Sequence, residues 1–179
     1  MQNSYSNNTY QPAEDTFFLA DWLKNEKGFS ALDIGTGSGY LVNVLAKNFP
    51  LVVATDIDFA SLRSHSPRLA NLICCNAADA LQFEFDLVVC NMPYLPSEKI
   101  SDKTVDGGSE GLEIPLSIIE SANKCVRKEG KILFLTSSLA NYQKLIEKIK
   151  NCGLDVHIVA RKKLFFEELL IMEAKILSN

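Results

Sequence analysis

Apolar and polar positions follow two rhythms along this chain, and the rhythm switches repeatedly after residue 29. Phe29 to Ile34, Leu51 to Thr55, Asn71 to Cys75, Phe85 to Cys90 and Lys131 to Thr136 are short apolar runs of the kind that form buried strands. Between them, residues 38–48, 58–65, 112–127 and 138–150 carry apolar side chains at helical spacing, and Pro67 limits the second of these helices. Strands alternating with helices predict right-handed crossovers and a mostly parallel sheet covered on both faces.

The two ends depart from this rule. Leu154 to Ala160 and Glu168 to Lys175 are strand-like runs joined by a short charged link, which predicts an antiparallel hairpin closing the sheet edge. The basic run Arg161-Lys162-Lys163 is expected in its solvated turn. Ala13 to Lys27 reads as an amphipathic helix, with Phe17, Phe18, Leu19, Ala20, Trp22 and Leu23 supplying apolar surface. It is expected over the carboxyl edge of the sheet, where open α/β folds bind ligands. No internal repeat, low-complexity tract or linker interrupts the chain.

Length and composition then bound the picture. A chain of 179 residues with 47% hydrophobic composition can bury one substantial core but not two. One domain is expected over 1–179, with an N-terminal segment and helix over 1–28 and an α/β core over 29–179. No apolar run approaches bilayer length, and the polar start Met1 to Asn8 lacks the regions of a signal peptide, so a cytoplasmic protein without membrane contact is expected.

The net charge of -4 and pI near 5.2 make a nucleic-acid partner the less favoured expectation, since such binding rests on many cationic contacts to phosphate. Cys74, Cys75, Cys90, Cys125 and Cys152 form no CxxC pair, and three of them sit in apolar runs. Reduced core cysteines and no metal site are expected. His65 and His157 have no partner spacing.

Candidate chemistry gathers at the strand ends. Asp33-Ile34-Gly35-Thr36-Gly37-Ser38-Gly39-Tyr40 follows the first strand and opens a helix. Its glycines allow a tight turn and close ligand approach, and free N–H groups at the helix start favour an anionic group such as a carboxylate. A dinucleotide fingerprint wants a glycine where Tyr40 stands, so the spacing disfavours NAD.

Asp33, two residues before Gly35, can meet an ammonium group. Asp56 ends the second strand before Ile57, about 20 residues beyond the glycines, and suits a pair of ribose hydroxyls. Asp79 follows the third strand and can accept from an adenine amino group, with Ala78 or Ala80 supplying a backbone N–H. No phosphate-binding lysine sequence accompanies these residues, which suits a ligand without phosphate.

After the fourth strand the apolar run breaks into Asn91-Met92-Pro93-Tyr94. An amide nitrogen is a poor nucleophile because its lone pair is delocalised, so chemistry on it demands orientation and polarised N–H bonds. The Asn91 side-chain oxygen and the Met92 carbonyl can accept the two hydrogens, while Tyr94 packs on the planar group. A plain strand followed by an Asn-x-Pro turn is the competing reading.

Together, Asp33 to Gly39, Thr55-Asp56, Asp79 and Asn91-Met92-Pro93-Tyr94 resemble the class I methyltransferases that methylate amino groups, and most resemble the HemK-like release factor glutamine methyltransferases. The resemblance covers nearly the whole chain. Tyr10-Gln11-Pro12-Ala13-Glu14-Asp15-Thr16-Phe17 is similar to the start of the archaeal and eukaryotic branch, which lacks the separate N-terminal domain of the bacterial members. The family motif is usually Asn-Pro-Pro-Tyr, and Met92 departs mildly from it because that position acts through its carbonyl.

The resemblance implies a Rossmann-like fold with a seven-stranded sheet and S-adenosylmethionine as cofactor. It implies methylation of the glutamine in the Gly-Gly-Gln tripeptide of a peptide-chain release factor, and a small zinc-binding activator subunit as partner. Methylation of an adenine exocyclic amine in RNA or DNA is the alternative, since the same asparagine and aromatic pair can hold a nucleobase. By the same resemblance Glu14, Asp15 and Thr16 lie near the cofactor or substrate entrance, against a plain helix N-terminus. The segment Asp106 to Gly111 resembles the family's glycine-rich loop, either a lid over the substrate or a turn before the next helix.

Overall fold

A computed structural model of the chain describes residues 12–63, 70–97 and 105–177. The start Met1 to Asn8, Tyr10-Gln11, His65 and Pro67 lie outside the described residues. Seven strands form one sheet: β1 (Ser30–Ile34), β2 (Leu51–Asp56), β3 (Asn71–Cys74), β4 (Phe85–Asn91), β7 (Val126–Ser137), β8 (Leu154–Lys163) and β9 (Glu168–Ile176). Their order is β3-β2-β1-β4-β7-β9-β8. The first five are parallel, while β9 runs antiparallel to both β7 and β8. A short parallel pair, β5 (Leu95–Pro96) and β6 (Asp106–Gly108), stands apart. Among the described residues there are five α-helices, α1 (Glu14–Leu23), α2 (Tyr40–Leu45), α3 (Phe59–Arg63), α4 (Glu113–Asn123) and α5 (Tyr142–Asn151), and a 3-10 turn at Ser109–Gly111.

The period-2 alternation of each strand sorts its side chains between two cores. Leu32, Val88, Cys90, Ile132 and Phe134 face one side, where Ile119 and Ala122 of α4 and Leu145 and Ile149 of α5 cover them. Ala31, Leu87, Val89, Leu133 and Leu135 face the other, against Leu19, Ala20 and Leu23 of α1 and Leu41, Val42 and Leu45 of α2. Central strands buried on both faces cannot alternate in polarity, which is why β1 is buried at all five positions.

Several boundaries differ from the sequence reading. The helix expected over 112–127 ends at Asn123, and β7 begins at Val126 rather than 131. The cause lies in the neighbouring strand: Phe85 donates its N–H to the Cys125 carbonyl at 2.7 Å and pairs with Val126, drawing these residues into the sheet through a register shift. The helix expected over 38–48 spans Tyr40–Leu45, because Gly37 and Gly39 hold left-handed φ values of 50° and 73° ahead of it. Helix α1 ends at Leu23, short of Lys27.

The hairpin is present, but Arg161-Lys162-Lys163 lies within β8 and pairs with Leu170, Leu169 and Glu168. The turn proper is Leu164 to Glu167, closed by the Leu164 N–H donating to the Glu167 carbonyl at 2.8 Å. Of the cysteines, Cys90 and Cys125 are buried, whereas Cys74 is exposed and Cys75 and Cys152 are half-buried. Cys74 ends β3 and Cys75 follows it at the edge of the sheet, where one side of the strand has no neighbouring strand among the described residues.

Candidate active site

Strands β1 and β4 are adjacent and in register, with Ile34 opposite Cys90, so their carboxyl tips bring Asp33 and Asn91 to the same opening. Asp33 is 1% exposed, and neither carboxylate oxygen has a hydrogen-bond partner among the described residues. Burial raises its pKa to about 7, with the nearby Thr36 hydroxyl tempering the shift and the Asp56 charge adding to it. A buried carboxyl left in this state is costly in isolation and suits a cationic ligand group.

The turn after Asp33 supplies the surrounding cradle. Gly35 and Thr36 donate their N–H groups to the Thr55 carbonyl, each at 2.9 Å, which ties the turn to the end of β2. Gly35, Gly37 and Gly39 all hold positive φ, so the turn is open to glycine and strained for other residues. Asp56 accepts from the Gly37 N–H at 2.8 Å through Oδ2 and from the Asp58 N–H at 2.8 Å through Oδ1. These bonds aim a carboxylate at the rim of the turn and leave lone pairs for a diol.

Ile57 is exposed beside Asp56. Asp79 accepts from Asn76 Nδ2 and from Ser121 Oγ, each at 2.8 Å, and these bonds hold its carboxyl below the usual range. The Ala78 N–H is taken by Ser121 Oγ at 3.0 Å, which leaves exposed Ala80 as the better placed donor.

At the β4 tip the Asn91 side chain is anchored by its nitrogen. Nδ2 donates to Thr16 Oγ1 at 3.1 Å and to Asp15 Oδ2 at 3.3 Å, while Oδ1 is buried without a partner among the described residues. Asp15 and Thr16 begin α1 and are both buried, and Asp15 Oδ1 accepts from the Thr16 N–H at 2.6 Å and the Thr16 hydroxyl at 3.3 Å. The Met92 side chain enters the core and is 2% exposed, which fixes the backbone on which its carbonyl stands. Pro93 and Tyr94 are half-buried. Burial pushes the Tyr94 phenol well up, and the charges of Glu167 and Asp15 push it further.

The glycine-rich segment is a brace against this motif. β6 pairs with β5, and the Ser97 N–H donates to the Gly108 carbonyl at 3.0 Å. A Cβ on Gly107 would lie 3.0 Å from the Pro93 carbonyl oxygen, and one on Gly111 would collide with the Tyr94 carbonyl oxygen. Beyond it, Pro96, Ser97, Ser109, Glu110 and Glu113 line a groove of about 420 Å³.

The structure thus brings together Thr16, Asp33, Thr36, the glycine turn, Asp56 and Asn91 to Tyr94, with Ile57, Asp79 and Ala80 along the rim. The sequence reading did not find Asp15 as the anchor of Asn91, Ser121 as the partner of Asp79, or Glu167 beside Tyr94. Asp15 and Asn91 are 76 residues apart, and the one local signal was a pair of polar residues, Asp15 and Thr16, at what proved buried helix positions.

Comparison with known proteins gives the family of the chain. Residues 4–166 match the methyltransferase small domain family. A Methanocaldococcus jannaschii protein provisionally named a protein N5-glutamine methyltransferase is 34% identical over 92% of this chain and 90% of its own length. The eRF1 methyltransferase catalytic subunit mtq2 of Schizosaccharomyces pombe is 22% identical over 95% of this chain and 90% of its own. Among solved structures, the E. cuniculi Mtq2-Trm112 complex, described as responsible for methylation of the eRF1 translation termination factor, superimposes with a TM-score of 0.81. That match has 26% identity and covers 95% of this chain and 99% of the other.

Proposed function

This chain belongs to the methyltransferase small domain family and uses S-adenosylmethionine as its methyl donor, and from that footing we propose that its acceptor is the glutamine side-chain amide of a peptide-chain release factor. The observation that carries the reading is the Asn91 oxygen, buried and without a partner among the described residues, at the same strand-tip opening as the Asp33 carboxylate, which likewise has none among them.

S-adenosylmethionine supplies an electrophilic methyl group on a sulfonium. On the protein side, Asp33 receives the ammonium of the cofactor, with Thr16, Gly35, Thr36, Gly37 and Gly39 around its carboxylate end. Asp56 accepts from the ribose hydroxyls, Ile57 flanks the adenine, and Asp79 with the Ala80 N–H reads its amino edge. Asn91 Oδ1 and the Met92 carbonyl accept the two hydrogens of the substrate NH2, and Pro93 and Tyr94 confine its plane. Holding the nitrogen in line with the methyl carbon supplies most of the rate, up to about 7–11 kcal/mol for well-oriented reactants. No strong base is required, because the nitrogen becomes acidic once methylated and its proton leaves to water.

The mouth of the site favours a polypeptide over a polyanion. Glu110 and Glu113 line the adjoining groove, while Arg161 is paired with Glu168 at 2.6 Å and Lys162 with Glu14 at 2.5 Å. A nucleic acid would meet carboxylates where it needs cations, which disfavours the adenine-amine alternative.

A small activator subunit is part of the proposal, as is action in the cytoplasm beside the translation machinery. No helix among the described residues is long and apolar enough to cross a membrane. The test is incubation of the chain, alone and with the activator, with methyl-labelled cofactor and a release factor. Label is expected on the tripeptide glutamine; label that persists in a Gln-to-Ala release factor, or goes to nucleic acid instead, would defeat the assignment.

A further inference from the structure

We infer that Asp15 is a positioning residue that decides which end of the Asn91 amide faces the substrate. This deepens the glutamine-methylation reading and rests on it for its kinetic arm.

An amide side chain can present either its oxygen or its NH2 to a given point, and only the oxygen can accept a hydrogen from the acceptor nitrogen. Nothing in the local backbone of β4 chooses between the two. The choice is made across 76 residues of sequence, where Asp15 Oδ2 stands 3.3 Å from Asn91 Nδ2. A carboxylate accepts from the NH2 end and is repelled by the oxygen end, so it admits one of the two orientations.

Thr16 alone would not decide. Its hydroxyl both donates and accepts, and so could satisfy either end of Asn91. Asp15 removes that freedom, because Oδ1 accepts the Thr16 hydroxyl at 3.3 Å and thereby turns a Thr16 lone pair toward Asn91 Nδ2 at 3.1 Å. The Thr16 N–H at 2.6 Å holds Oδ1 in place, and Oδ2 is the oxygen that faces Asn91. Asp15 and Thr16 are buried and Asn91 is half-buried against them, so water has little access to substitute for a lost partner.

This predicts an order of effects that a packing role would not produce. In Asp15→Asn the carbonyl oxygen stays on the Thr16 N–H, so the new NH2 faces Asn91, which turns its own oxygen inward while the Thr16 hydroxyl swings round to donate to it. In Asp15→Ala the amide is merely released, with Thr16 still able to hold its nitrogen. The near-isosteric variant is therefore the more damaging one: kcat should fall on the order of 100-fold in Asp15→Asn and about tenfold in Asp15→Ala, as for loss of one aimed catalytic hydrogen bond. KM for the release factor and the dissociation constant for the cofactor should stay within a few-fold of wild type.

The experiment compares wild type, Asp15→Asn, Asp15→Ala and Asn91→Ala by steady-state kinetics, calorimetry with S-adenosylmethionine, and nitrogen-15 NMR of the Asn91 side-chain NH2. In wild type that NH2 is expected to be shifted and slow to exchange, and in Asp15→Asn to exchange at a solvent-like rate. Asp15→Asn with wild-type kcat, or more active than Asp15→Ala, overturns the inference; so does an unchanged Asn91 NH2 signal in Asp15→Asn. Full activity in Asn91→Ala overturns the inference as well, whereas no label on release factor with wild type defeats the glutamine reading instead, and the NMR arm still decides the role of Asp15.

Discussion

The side-chain nitrogen of Asn91 lies 3.1 Å from the Thr16 hydroxyl, which places the start of the first helix in contact with the end of the fourth strand. The contact spends the donor end of the amide on the protein and leaves the acceptor end, Oδ1, buried and without a partner among the described residues. Replacing Asn91 by alanine should lower kcat by on the order of 100-fold, the usual cost of one preorganised polar contact, with cofactor affinity within a few-fold of wild type. Parallel calorimetry and turnover measurements check this, and loss of cofactor binding with kcat retained would place Asn91 in the cofactor cradle alone.

Asp33 gives the protein a pH dependence whose sign follows from its raised pKa. Its carboxyl titrates near 7 in the fold against 3.8 ordinarily, chiefly because burial penalises the charge. The empty protein therefore has the neutral carboxyl's contribution in full below the ordinary value, and loses it as pH rises toward 7. A ligand ammonium requires the charged form, so cofactor affinity should rise with pH and level off above about 7, falling by up to about tenfold per pH unit below it. Calorimetry in buffers of different ionisation enthalpy should show proton release on binding near neutral pH, and Asp33→Asn should abolish both the release and the slope.

Gly111 and Gly153 separate backbone strain from collision. Both hold left-handed φ, 70° and 82°, but a Cβ on Gly153 meets open space while one on Gly111 strikes the Tyr94 carbonyl. Gly153→Ala should cost about 1–2 kcal/mol from conformation alone. Gly111→Ala should cost about 2–5 kcal/mol, because the clash must be relieved by moving the catalytic turn. Denaturant midpoints measure both, and kcat should fall in Gly111→Ala only.

Phe165 and Phe166 stand at the hairpin tip, 92% and 85% exposed, with ring centroids 4.6 Å apart. The next residue, Glu167, accepts from Ser137 Oγ, and its charge acts on Tyr94, which ties the hairpin tip to the catalytic motif. Replacing both with serine should raise KM for the release factor about tenfold or more, as for loss of an aromatic anchor, with cofactor affinity unchanged. An unaltered KM would remove the hairpin from the substrate surface.

The strand and helix alternation, the antiparallel close and the residue types gathered at the strand ends were legible in the chain alone. Those features are local: period-2 and period-3.6 patterns report burial directly, and a glycine turn or an Asn91-to-Tyr94 break declares itself by residue type. The element boundaries were decided elsewhere, as when Phe85 drew Cys125 and Val126 out of the helical pattern and into the sheet. So were the roles of Asp15, Ser121 and Glu167, each set by a partner dozens of residues away. Their side chains are ordinary helix-start, helix and turn residues in sequence; only packing α1 against the β4 tip turns an acidic first turn into the group that fixes an amide's orientation, because hydrogen-bond geometry exists only once both ends are brought together.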